Sequence, residues 1–260
     1  MRAMKTALLA LAGMIISGIV ATVSSIAGPE LHVLMSGGFS AAYREVLPTF
    51  ERTTGIVVNT ATGGSQGPGP NTIGAQMRRG VSADVVIMSK EGLEELAQER
   101  RVVADTRVDL AQTQLGLAVR EGAPKPDIGT LDAFKQTLLR AKSITFPTST
   151  TGIYMRTTMF PRLGIADEVA QKYVTGSVAA VATGDAELAI QPVSELLHVK
   201  GSEFVGPLPA DVQYMSVFSA AVVVGTTQLG AAKRLLAFLT SEQSAAAIRN
   251  AGMEPLRGAK

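Results

Sequence analysis

At 260 residues, with 46% hydrophobic and 18% charged residues, the chain is long for one ordinary domain and comfortable for two compact lobes. Aromatic residues make up 5%, tryptophan is absent, and 24 basic residues stand against 22 acidic ones, which excludes a base-stacking platform and a polyanion partner such as nucleic acid. The absence of cysteine excludes thiol catalysis, cysteine-based metal sites and a lipid-anchored lipoprotein, and two histidines, His32 and His198, are too few for an all-protein zinc site.

The amino terminus reads as an export signal. Arg2 and Lys5 precede an apolar run from Ala7 to Val23, and Ser25-Ile26-Ala27 offers small residues where a signal peptidase inspects them. Cleavage is expected after Ala27. Removing residues 1–27 takes away two basic residues and no acid, leaving 22 of each sign. No later stretch is long and apolar enough to span a membrane, so the mature chain is expected free in the periplasm, as a monomer.

Leu31 to Met35 reads as a buried strand that stops at Ser36-Gly37-Gly38. A helix over 39–52 follows, with Phe39, Ala42, Tyr43, Val46 and Phe50 on one face. A strand over 56–60, a loop TATGGSQGPGPNT over 60–72, a helix over 73–79 and a strand over 84–88 complete a βαβαβ pattern, which implies a mostly parallel sheet covered on both faces. A helix over 91–99 comes next, then a strand-and-turn approach at Val102 to Thr106, and a strand over 114–120 that crosses towards a second lobe. There, helices are expected over 131–139, 153–163, 167–173, 177–183 and 193–198, with strands over 143–146, 188–192 and 203–206; Gly164 ends the second of these helices. A strand over 216–224 passes back, and helices over 231–239 and 242–252 close the chain. This places one lobe at 28–118 with 218–260 and the other at 119–217, both α/β, with no tether between them.

Three junctions share one design of strand, then glycine and hydroxyl residues, then helix start: Ser36-Gly37-Gly38, Thr62-Gly63-Gly64-Ser65, and Thr148 to Gly152. A helix start presents unpaired N–H groups and partial positive charge, glycine permits close approach, and hydroxyls donate hydrogen bonds. Any one junction is explained by helix capping; three at the carboxyl ends of strands, where open α/β sheets bind ligands, point to a cleft for a small anion. The candidate binding residues are Ser36, Gly37, Gly38, Gly64, Ser65, Thr150, Thr151, Tyr154 and Arg156. No P-loop, dinucleotide fingerprint or nucleophile elbow is present, neither histidine is set in a triad pattern, and no metal or cofactor is expected. Gly184-Asp185-Ala186-Glu187 reads as a solvated turn.

The strand and turn at Val33 to Ser40, the pattern Phe50, Thr54, Gly55, Ile56, Val58, and the stretches QMRRGVSADVVIMS (76–89), TGIYMRTTMFPRLGI (151–165) and VATGDAELAI (181–190) resemble the periplasmic molybdate-binding proteins of ABC transporters. The resemblance covers essentially the whole mature chain. It implies the type II periplasmic binding protein fold, two α/β lobes joined by two crossing strands, and a receptor that hands a small oxyanion or carboxylate to a membrane permease. It also shows departures: Gly38 stands where that family usually has serine, Gly67 to Asn71 reads as an insertion, and Gln191-Pro192 stand where a late tyrosine is often placed. These imply a larger or differently shaped anion. Periplasmic aconitate isomerase is similar to the same family, and the alternative implied is an isomerase for a small unsaturated carboxylate. For that reaction Tyr154, His32 and Glu195 are candidate bases, and no pattern selects among them.

Overall fold

The computed structural model describes residues 28–256, and the expected leader at 1–27 lies outside them. The described chain lays down β1 (Glu30–Met35), β2 (Val57–Thr62), β3 (Val85–Ser89) and β4 (Val108–Thr113). It then crosses to a second sheet for β5 (Leu115–Arg120), β6 (Ile144–Thr145), β7 (Tyr173–Val174), β8 (Leu188–Pro192) and β9 (Ser202–Pro207), and returns for β10 (Ser216–Val222) and β11 (Glu254–Pro255). The first sheet has the order β11-β4-β10-β3-β1-β2 and the second β7-β6-β8-β5-β9. The fold is the expected pair of α/β lobes. Among the described residues no helix is long and apolar enough to cross a membrane.

Strand alternation splits the core of each lobe in two. In the first sheet Leu31, Val33, Met35, Val85 and Ile87 pack on one side with Tyr43, Val46 and Phe50 of the helix Ser40–Thr54 and with Leu235 and Leu239 of the helix Leu229–Leu239. Leu34, Val86 and Met88 pack on the other side, against Ile73, Met77, Leu93 and Leu96. The second sheet does the same: Leu117 and Ile190 meet Phe134 and Leu138, while Ala118 and Ala189 meet Val178 and Val181. Both faces are covered, which is why these strands read as nearly continuous apolar runs.

The chain crosses between sheets at Gln114 and again at Tyr214–Met215, and one side chain ties the two crossings together. The Gln213 amide accepts from Leu115 N at 2.7 Å and donates to the carbonyls of Leu115 and Leu208, each at 3.1 Å. The whole of β5 pairs within the second sheet and the whole of β10 within the first, so divisions after Ala118 and before Phe218 fall inside strands. Continuous crossing strands leave no composition signal at the boundary.

Several elements depart from the expectations: β7 and β11 were not foreseen, and the helix expected over 193–198 ends at Leu196. β4 is a full strand although VDLAQT carries polar residues, because Asp109 is satisfied by Ser219 Oγ at 2.6 Å and Lys90 Nζ at 3.0 Å. Val102 makes only an isolated bridge to Val223. The helix expected over 153–163 starts at Thr150 and passes through a π turn at Met155–Met159 before ending at Gly164, whose φ of 65° suits glycine. Pro161 lacks the N–H that a regular turn would use there, which gives the wider turn its physical cause.

Candidate functional site

The parallel pairing of β2, β1 and β3 brings three chain ends to one edge of the first lobe: Ser36 after β1, Gly63 to Ser65 after β2, and Ser89 at the end of β3. Ser36 N donates to Ile87 O at 2.8 Å and Gly63 N to Met35 O at 3.0 Å, which fixes both turns to their neighbouring strands. Ser65 Oγ accepts from Ser89 N at 2.9 Å, and Ser89 Oγ caps its helix by accepting from Gly92 N at 3.2 Å. Ser36 is buried, and its Oγ has no partner among the described residues.

The second lobe answers with the helix start at Thr150. Thr150 Oγ1 lies 2.7 Å from Ser89 Oγ, a buried hydrogen bond directly between the lobes. A Cβ built on Gly64 would lie 3.8 Å from Ser149 Cβ, and one on Gly67 3.3 Å from Thr148 O, so the loop after β2 reaches the polar loop of the other lobe. Thr151 is buried in the same turn. At the end of β6, Thr145 Oγ1 is buried and has no partner among the described residues. Gly152 is required here by packing, since a Cβ on it would fall 1.6 Å from Pro147 O.

Beyond β8, the short helix Val193–Leu196 packs on the turn Gly37–Phe39 and carries Glu195 into the interface. Its Oε1 lies 3.3 Å from where a Cβ on Gly37 would be. Gln191, buried in β8, takes the amide orientation its neighbours require: Nε2 donates to Glu195 Oε2 at 3.0 Å, and the amide oxygen accepts from Val178 N at 3.0 Å. No charge offsets the removal of this carboxyl from water, and burial pushes it up to about 7.

The expected binding residues therefore separate into two sets. Ser36, Gly37, Gly64, Ser65, Thr150 and Thr151 gather at the lobe interface. Gly38 is beside them but is committed to packing, since a Cβ on it would fall 2.0 Å from Phe218 Cζ. That ring explains why no serine stands there. Tyr154 stacks on Tyr214, with ring centroids 4.7 Å apart, and donates its hydroxyl to Val212 O at 3.1 Å; burial raises its pKa. Tyr214 in turn donates to Glu91 Oε1 at 2.5 Å across the crossing segments, and burial together with Glu91 raises its pKa further. Arg156 is exposed, over the Phe146 ring at 5.8 Å, with Nη2 donating to Thr148 O at 3.2 Å.

Of the three candidate bases, His32 is exposed in the amino half of β1, away from the strand's cleft end, and its ring takes no part in the site. The sequence patterns did not single out Ser89 or Thr145, and marked Gln191 only as a departure from the resembled family. Ser89 repeats the strand, hydroxyl, helix design of the other junctions, and Gln191 is a lone amide in the apolar run LAIQP; both signals were present.

Residues 31–254 match the family model described as bacterial extracellular solute-binding protein. The chain belongs to this solute-binding protein family. Aconitate isomerase from a Pseudomonas species is 39% identical over 232 residues, covering 87% of this chain and 88% of that protein. Among solved structures, the periplasmic molybdate-binding protein of Azotobacter vinelandii matches with a TM-score of 0.70 at 20% identity, covering 86% of this chain and 98% of that one. The sulfate-binding protein of Mycobacterium tuberculosis matches with a TM-score of 0.66 at 20% identity, over 88% and 87%. At those identities the two structures establish the two-lobe fold that this solute-binding protein shares.

Proposed function

We propose that this protein is a periplasmic isomerase that moves the double bond of a small unsaturated polycarboxylate, of the aconitate class, in the cleft between its lobes. The observation that carries this reading is Glu195, a carboxyl that the second lobe sets beside the Ser36-Gly37 turn of the first and that burial raises to about 7. A receptor for an anion needs no base at that place. An allylic isomerase needs one, with a pKa near neutrality.

In the reaction, Glu195 removes a proton from the saturated carbon beside the double bond. The C–H electron pair becomes the new C=C, and the electrons of the old double bond take the proton back from the Glu195 carboxylic acid at the far carbon, which restores the carboxylate and leaves substrate and product with the same composition. Ser36, Ser65, Ser89, Thr150 and the helix starts supply donors for the carboxylates and for the charge that develops in the transition state. The identity to an aconitate isomerase over most of both chains supports the same reading.

Incubation of the protein with cis-aconitate, followed by NMR, is expected to show the trans isomer accumulating to a fixed ratio from either side. No conversion at high protein concentration would eliminate this substrate. A second reading is favoured by the hydroxyl-lined closure between lobes: a receptor that delivers a small oxyanion or carboxylate to an ABC permease, closing by a hinge at the crossing strands. Under either reading Ser65→Ala and Thr150→Ala should each weaken ligand binding by about 1–3 kcal/mol, the range for a hydrogen bond to a charged group. Calorimetric titration with aconitate, molybdate and sulfate measures this; unchanged affinity in both variants would confine those hydroxyls to holding the turns and the lobe contact.

A further inference from the structure

The side chains gathered at the interface are Ser36, Ser65, Ser89, Thr150, Gln191 and Glu195, and none of them is a cation. Arg156 is exposed, and its guanidinium is engaged over the Phe146 ring and on Thr148 O. An anion bound beside the Ser36-Gly37 turn is thus met by neutral donors and by the Glu195 carboxyl. If that carboxyl were ionised, two like charges would share a site shielded from water, a combination that drives a proton onto one of them. We propose that Glu195 takes up a proton when the anion binds and must release it for the reaction, so that affinity and turnover titrate in opposite directions. This rests on the reading of the cleft as a carboxylate site.

The hydrogen bonds say where the proton sits. Oε2 accepts from the Gln191 amide, so the acidic hydrogen belongs on Oε1, the oxygen beside Gly37. A neutral Glu195 then donates to the bound anion from the same atom that, once ionised, faces the substrate carbon. Gln191 is the positioning residue, held in turn by Val178 N at the start of the helix Val178–Thr183.

No other charge intervenes. The turn Gly37–Phe39 and β8 bring no ionisable side chain to Glu195. Packed against the helix Val193–Leu196, β5 brings only Arg120 and β9 only Glu203, and both stand at the strand ends far from Leu115, where the helix begins. Glu203 is engaged with Lys125 at 2.8 Å. The helix Glu242–Asn250 meets this region through Gly252, against Val193 and Leu197, and its Arg249 is exposed. His198 is exposed and bonded through Nε2 to Asn250 O at 3.2 Å. The other carboxyl of the lobe interface, Glu91, accepts from Tyr214 through Oε1, while its Oε2 is buried without a partner among the described residues.

The sign follows from the direction of the shift. Binding favours the protonated form, so affinity is full below pH 7, where free Glu195 already carries its proton, and falls above it. Turnover needs the ionised form, so kcat rises with pH through a value higher than 7, because the bound anion holds the proton more tightly.

The test is calorimetric titration of the whole mature protein with trans-aconitate between pH 6 and 9, in pairs of buffers with different ionisation enthalpies, beside the NMR rate assay. The dissociation constant is expected to be flat below pH 7 and to rise about tenfold per pH unit above it, with uptake approaching about one proton at pH 8. Glu195→Gln should bind with a pH-independent constant, while the buffer-pair measurement on the unaltered protein gives the proton count without reliance on any variant. No proton uptake at pH 8, or an unchanged pH dependence in Glu195→Gln, would overturn the proposal even if isomerisation is seen. Full linkage with no turnover would instead remove the isomerase reading and leave the linked binding site. Absence of binding by trans-aconitate, molybdate and sulfate alike would overturn both.

Discussion

Glu195→Gln is expected to lower the rate of aconitate isomerisation by about 10²–10⁴-fold, the usual contribution of a positioned acid or base, while the fold is kept. The amide has the shape of the carboxyl and can still bond to Gln191, but it cannot accept a proton from carbon. Substrate affinity below pH 7 should change little, because the neutral amide resembles the protonated carboxyl that the anion meets there. The effect therefore belongs in kcat, and a matching thermal unfolding curve separates it from misfolding. A variant that retains turnover within about tenfold of the parent would require another base. The remaining candidates are poorly placed for that: the Tyr154 hydroxyl is spent on Val212 O under the Tyr214 ring, and His32 is exposed on β1 away from the site.

The second large effect concerns packing. Gly38→Ser should destabilise the protein by about 1–3 kcal/mol, since its Cβ would enter the ring of Phe218, which is buried in the first-lobe core. Phe218→Ala alone should cost about 3–5 kcal/mol through the cavity it leaves. In the double variant the new side chain enters that cavity, so the two losses should fall short of additive by at least about 0.5 kcal/mol. Denaturant unfolding of the four proteins measures the coupling. A Gly38→Ser variant as stable as the parent would mean that Phe218 moves freely, and the glycine would lose its explanation.

That pair shows where reading from sequence stops. The missing hydroxyl at position 38 is visible in the sequence, but its cause is 180 residues away, on a strand that returns from the other lobe. The same holds for Tyr154. On a helical face it looks available for a ligand; its partners Tyr214 and Val212 come from the second crossing and the turn before it. Arg156, one turn into the helix, is within reach of an anion by spacing alone, and only the tertiary structure shows its guanidinium engaged over Phe146 and on Thr148 O.

The strand ends were different. Ser36, Gly64 to Ser65 and Thr150 could be placed at strand ends and turns because that physics is local, an apolar run followed by small turn residues, although none of these hydroxyls caps a helix and the helix after Ser65 starts only at Ile73. Parallel pairing of β2, β1 and β3 then brings such ends together with no further information. Ser89 follows the same rule and was legible on those terms.

The sequence by itself determined that two α/β lobes form, that their strands are covered on both faces, and that hydroxyls and glycines stand at the strand ends, since periodicity and turn chemistry act over a few residues. Which of those groups meet was decided by the tertiary structure. The Ser89 to Thr150 contact, the Gln213 clasp on the crossings, and the burial that raises Glu195 to about 7 all join segments distant along the chain. A carboxyl's pKa depends on the water and charge around it, and that environment exists only once the second lobe has folded against the first.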